Sequence, residues 1–177
     1  MQEPTTPEEV AALHNILRTD PQRYLGIVNS WISLNPENAN AWYDRHSVWM
    51  RIGEPRRALE DLNQAVRLSP SPIKYLARGE VHKHLGEYEE ALDDFAQSEA
   101  MIPDEWQDLG FGLVQQADCH ARLGNEANAL ACCARLHDDF WSPGLHDAPE
   151  GDKAGIAARL RIIAAEAHAA KRRGETR

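Results

Sequence analysis

A chain of 177 residues with a net charge of −9 has room for one continuous hydrophobic core, and its acidity excludes a general affinity for nucleic acid or anionic membrane. Ala and Leu dominate its apolar residues while β-branched and aromatic ones are few, a make-up that favours helices over strands. No apolar run approaches the ~18 residues of a membrane span, the first ten residues lack a signal-peptide pattern, and three cysteines make no disulfide framework, so a cytoplasmic location is expected.

In chain order, the first helix is expected from Pro7 to Arg18, opened by Thr6 with Glu9 three residues later as a capping box. Asp20-Pro21 then opens a second helix to about Leu34, with Ile27, Val28 and Trp31 facing inward. Three windows follow, each reading as two amphipathic helices around a glycine turn. In every window an apolar residue precedes the glycine, and Ala-Leu stands after four further residues: Gly53 with Ala58-Leu59, Gly86 with Ala91-Leu92, and Gly124 with Ala129-Leu130. Glycine can take the left-handed conformation that ends a helix, and the alanine lets the second helix cross the first closely. Bulky residues recur late in the first helices (Trp49, His82, His120) and opposite them in the second (Leu62, Phe95, Cys133). Pro70 and Pro103 close the second helices of the first two windows. In the third, "PDEWQDLG" reads as an extra turn, capped by Asp104, on a first helix carrying Trp106 and Leu109. The segment 141–150, rich in Pro, Gly and Asp, reads as a loop that Trp141 and Leu145 pin down. A last helix over 151–173 has Ile156, Leu160, Ile163 and Ala167 along one stripe, and Lys171, Arg172 and Arg173 at its end, where cations are favoured.

The glycines are 33 and 38 residues apart, bracketing the ~34 of a tetratricopeptide repeat. On these residues the chain resembles the tetratricopeptide-repeat (TPR) family, closely over 39–103 and well over 110–140. The resemblance implies an all-α fold: a right-handed superhelix, or α-solenoid, of helix-turn-helix repeats. As a single domain the chain would comprise a degenerate repeat (5–38), two regular ones (39–71 and 72–105), a third with an extended first helix (106–140), the loop and a C-terminal capping helix. A departure is His46, where the family has a small residue at the helix crossing and the later repeats have Gly79 and Ala117.

The same resemblance implies that first helices line a concave groove that holds a peptide segment of a partner protein. Carried onto this chain, the ligand-facing positions include Tyr43, Asp44, Ser47 and Arg51, then Leu76, Glu80, Lys83 and His84, then Val114, Asp118 and Arg122. They form a basic ladder (Arg51, His84, Arg122), a second ladder turning acidic (Ser47, Glu80, Asp118), and an apolar line between (Tyr43, Leu76, Val114), suited to a mixed-charge peptide with apolar anchors. The alternative is that these are solvated faces of ordinary helices. The lysine and asparagine with which some family members clamp a carboxyl terminus are absent.

The expected role is therefore a non-enzymatic adaptor with no cofactor, no metal, no nucleic acid and no membrane partner. Alternatives are a self-associating scaffold (a homo-oligomer), a secretion-chaperone-like protein, and a metal-binding or enzymatic role around residues 119–152. The last rests on Cys119, His120, Cys132, Cys133 and His137, none at C-x-x-C or H-x-x-x-H spacing, and on the Asp- and His-bearing loop. Neither a G-x-S-x-G nor a P-loop motif is present.

Overall fold

The computed structural model describes residues 6–102, 111–144 and 149–175. Within them nine helices and a short β-hairpin follow one another: α1 (Pro7–Thr19), α2 (Pro21–Leu34), α3 (Ala39–Arg51), α4 (Pro55–Leu68), α5 (Pro72–His84), α6 (Tyr88–Ala100), α7 (Phe111–Arg122), α8 (Glu126–Ala134), β1 (Trp141–Pro143), β2 (Glu150–Asp152) and α9 (Lys153–Arg173). The architecture is all-α, of helix-turn-helix units. Backbone contacts gather into two units, Met1–Val81 and His82–Arg177, with the division falling inside α5.

In the first unit the helix starts follow local chemistry. Thr6 accepts from the Glu9 backbone N–H while the Glu9 carboxylate accepts from Thr6 N–H, completing the capping box. Asp20 accepts from Arg23 N–H at 3.0 Å and so starts α2 one residue after α1 ends. The core joins Leu13 of α1 to Tyr24, Val28, Trp31 and Ile32 of α2 and to Ala41 and Val48 of α3, with Ile27 half-buried against it. Ala58 and Leu62 of α4 are fully enclosed, which is how α3 and α4 pack closely.

The second unit has its own core. Leu113, Val114, Ala117 and Ala121 of α7, Ala129, Cys132 and Cys133 of α8, and Ile156, Leu160 and Ala164 of α9 form one buried cluster. The three α9 residues recur every fourth position, one stripe of a helix. Lys171 of α9 donates to the Leu123 carbonyl at 2.7 Å, so one member of the terminal basic cluster caps the end of α7. Gly124 takes φ +80°, and a Cβ there would meet the His168 ring of α9 at 3.4 Å. Helix α9 thus covers the last helical pair, as expected of the capping segment, though it starts at Lys153 behind an Asp152 cap that accepts from Gly155 N–H.

Two expectations differ from the structure. Part of the segment 141–150 is not loop: Trp141 pairs with Asp152, and Pro143 with Glu150, in an antiparallel ladder. Trp141 does not pin the segment, being 61% exposed, because a strand alternates its side chains and it is Ser142 that points inward. Asp104, Trp106, Leu109 and Leu145 lie outside the described residues, as does Pro103. No helix among the described residues is long and apolar enough to cross a membrane.

Candidate functional site

The groove residues expected from the sequence fall in both units. In the first, α3 and α5 bring three of them together: burial raises the Tyr43 hydroxyl above its ordinary pKa, and the Asp44 and Glu80 carboxylates raise it further. The Tyr43 ring also stacks obliquely on His46, with centroids 4.7 Å apart. Ser47, Leu76, Asp44 and Glu80 are half-buried and Arg51 is exposed at the end of α3. The patch is partly exposed and carries one aromatic and two carboxylate side chains within electrostatic reach of one another, chemistry that suits a cationic side chain.

In the second unit the outcome is different. Lys83 Nζ donates to Gln115 Oε1 at 2.7 Å and lies 2.9 Å from Asp118 Oδ2, which also accepts from Arg122 Nε at 2.9 Å. Asp118 is 0% exposed and Val114 1%, and Lys83 is also buried. None of the three stands open as a contact residue, which corrects the sequence expectation for them. For Val114 the physical cause is α9, whose Ile156, Leu160 and Ala164 share its core; Lys83 and Asp118 are enclosed together as an ion pair between α5 and α7. Two cations around one buried carboxylate make an internal ion network. Arg122, partly exposed and 5.8 Å from the Tyr88 ring, and exposed His84 remain at the surface.

A second set of polar groups, not singled out by the sequence reading, recurs with the repeat. Arg45 binds Asp61 through Nε (2.8 Å) and a terminal nitrogen (2.7 Å), and the Trp49 indole N–H donates to the same carboxylate at 2.8 Å. Thirty-three residues on, Asp94 stands 3.9 Å from His82 Nε2, while Glu87 accepts from His82 Nδ1 at 2.7 Å. The third repeat puts Cys132 and Asn125 at the places of those two carboxylates. His120, in the place of Trp49 and His82, keeps a buried Nδ1 without a hydrogen-bond partner among the described residues. Burial lowers its pKa. A further ladder ties each first helix to the helix before it: Arg45 to Asn29 (2.8 Å), Arg78 to Asn63 (3.0 Å) and Gln116 to Glu99 (2.8 Å). The signal for both sets was present as polar residues at repeat-equivalent positions.

Around residues 119–152 the cysteines are free and buried, and burial pushes the Cys119 thiol up to about 12, far from the thiolate that nucleophilic or metal chemistry needs. Among the described residues no three His, Cys, Asp or Glu side chains gather closely enough to hold a metal ion. Asp138 pairs with Lys153 at 3.0 Å, and Lys153 also donates to the Leu136 carbonyl at 2.7 Å, which reads as a helix-end clasp.

Comparison with known proteins agrees with the geometry. No family model matches the chain. A human protein, tetratricopeptide repeat protein 28, is 30% identical over 92 residues, 51% of this chain and only 4% of that protein's length. Among solved structures, MamA superposes with a TM-score of 0.65 at 16% identity, covering 97% of this chain and 99% of that one. YrrB, described as a TPR protein with an unusual peptide-binding site, gives 0.63 at 21% identity over 86% of this chain and 78% of its own. The resemblance read from the glycine and Ala-Leu spacing is borne out: this is the TPR fold.

Proposed function

We propose that this TPR-fold chain is a non-enzymatic protein-interaction module that holds a peptide segment of a partner against the first-helix surface of α3 and α5. The observation that carries the reading is the gathering of Tyr43, Asp44 and Glu80 on that surface, each of them partly exposed. Leu76 adds an apolar contact, and Arg51 a cation for an acidic residue of the same segment. In the second unit, Arg122 supplies surface charge, while Lys83, Asp118 and Val114 hold the scaffold. The peptide-binding site named for YrrB supports the class of ligand and leaves its identity open. Three unpaired cysteines suit a reducing cytoplasm.

Quantitative capture from an extract of the source organism tests the reading. Proteins retained by the native chain should be lost from the variant Tyr43→Ala/Glu80→Lys at unchanged helical content. Retention unaffected by that variant would contradict it.

A further inference from the structure

Helix α9 carries two apolar seams. One of them, Ile156, Leu160 and Ala164, is enclosed in the core of the second unit. The other runs along the opposite side of the helix through Gly155, Ala158, Ile162, Ala165 and Ala169, at steps of three, four, three and four residues. All of these but the half-buried Ala169 are exposed, and Ile162 keeps 49% of its surface open. The outward face of a surface helix ordinarily carries polar and charged residues, yet this seam has none until the next step, Arg172.

Alternating steps of three and four are the spacing at which one helix meets another along a coiled-coil seam. Apart from Ile162 the side chains are small, so a facing helix can approach to the short end of the usual interaxial distances. Along one flank of the seam stand Arg159 and Glu166, seven residues apart and both exposed. Neither has an ion-pair partner among the described residues. Of the neighbouring cations, Arg161 stands 3.8 Å from Glu126 and Arg173 lies 2.9 Å from Glu175, so these are engaged within the chain.

That flank points to a second copy of the same helix. In a two-fold pair, a residue that contacts another across the interface is contacted in return by its copy. A parallel pair would place two basic ends together, each with Lys171, Arg172 and Arg173, and would align the two helix dipoles. An antiparallel pair separates those ends. With Ile162 of one copy opposite Ala165 of the other, the one large side chain of the seam meets a small one. In that register Arg159 of each copy stands across from Glu166 of the other, because antiparallel helices bring the same flank face to face. The seam thus complements itself in both shape and charge.

We propose that α9 joins two copies of this chain through its outward seam, as an antiparallel pair with reciprocal Arg159–Glu166 contacts. It uses no residue of the surface proposed for the partner peptide. One helix pair buries less than a standard interface, so the dimer is weak and forms in the micromolar range.

Sedimentation velocity of the full chain, from about 1 µM to about 1 mM, should show reversible dimerisation. Ile162→Lys, at an exposed position, should weaken it about tenfold or more at unchanged helical content. Arg159→Glu alone and Glu166→Arg alone should each weaken it about tenfold, since each sets two like-charged pairs across the seam. The double variant Arg159→Glu/Glu166→Arg should regain the native affinity. Tyr43→Ala/Glu80→Lys should dimerise as the native chain does. A chain that stays monomeric throughout, its seam left to solvent or to a different protein, would overturn the proposal. So would a dimer that Ile162→Lys leaves intact, or a double reversal that stays weak.

Discussion

The pairs α3–α4 and α7–α8 are built on one pattern and stabilised by different means. In α3–α4 the buried Asp61 collects three donors, two from Arg45 and one from Trp49, and the Arg45 guanidinium lies 4.8 Å from the centre of the Trp42 ring. The Asp61 clasp lies within the pair, and Arg45 also reaches Asn29 of α2. In α7–α8 the equivalent position is Cys132, His120 Nδ1 is left bare, and a third helix, α9, closes the apolar face. A repeat can therefore exchange a buried polar clasp for a covering helix. The same exchange accompanies a difference in exposure: Tyr43 and Asp44 of α3 are half-buried, whereas on α7 the Val114 that corresponds to Tyr43 is enclosed.

The largest effect should come from removing the clasp. Asp61→Ala strands a largely buried guanidinium and an indole N–H, and should cost about 3–5 kcal/mol. Cys132→Ala at the equivalent place should cost about 1 kcal/mol. Urea unfolding of the two variants checks this, and equal losses would break the comparison. Next comes the cover. Leu160→Ala, at a fully buried position, should cost about 2–5 kcal/mol, and hydrogen exchange should show faster opening of α7 while α1–α4 keep their protection.

Smaller effects sharpen the contrast at the turns. Gly53 and Gly124 both take φ +80°, so alanine at either costs about 1 kcal/mol of backbone strain. At Gly124 the new methyl would rest on the His168 ring at 3.4 Å, ordinary van der Waals contact, whereas at Gly53 it would meet nothing. That burial offsets part of the strain, so Gly53→Ala should be the more damaging by thermal melting, and the difference should shrink in a His168→Ala background.

The smallest effect concerns pH. Burial lowers the pKa of His46, outweighing the Tyr43 carbonyl it faces, and burial lowers that of His120. A base with a depressed folded pKa takes up its proton more readily when unfolded. The stability it leaves intact above the unfolded value, about 6.5, is lost as pH falls below it. Melting temperature should decline over that window, and less so in Cys132→Asp, where a carboxylate near His120 favours the protonated ring. An unchanged profile in that variant would show that the two positions do not face each other as Trp49 and Asp61 do.

How much of this was legible in the sequence depends on range. The Thr6–Glu9 capping box, the Asp20 cap and the glycine turns are set by residues within a few positions of each other, and the structure has them where they were read. The recurrence of Asp61 and Asp94 was visible as spacing, but its meaning required the neighbouring Arg45, Trp49 and His82, which converge only when helices pack. Burial of Val114, Lys83 and Asp118 runs against expectation because it depends on contacts between segments more than thirty residues apart: α9 covers Val114, and Lys83 of α5 reaches Asp118 of α7. The β-hairpin was hidden for a similar reason: Trp141 and Asp152 pair across a stretch whose composition reads locally as turn.

The central claim is that a partner lies against the surface carrying Tyr43. Replacing Tyr43 with a photoreactive phenylalanine derivative, and separately Arg67 on the exposed side of α4, tests it most directly by cross-linking in extract. The account predicts a cross-linked partner from position 43 and none from 67. A partner captured from 67 and not from 43 would contradict it.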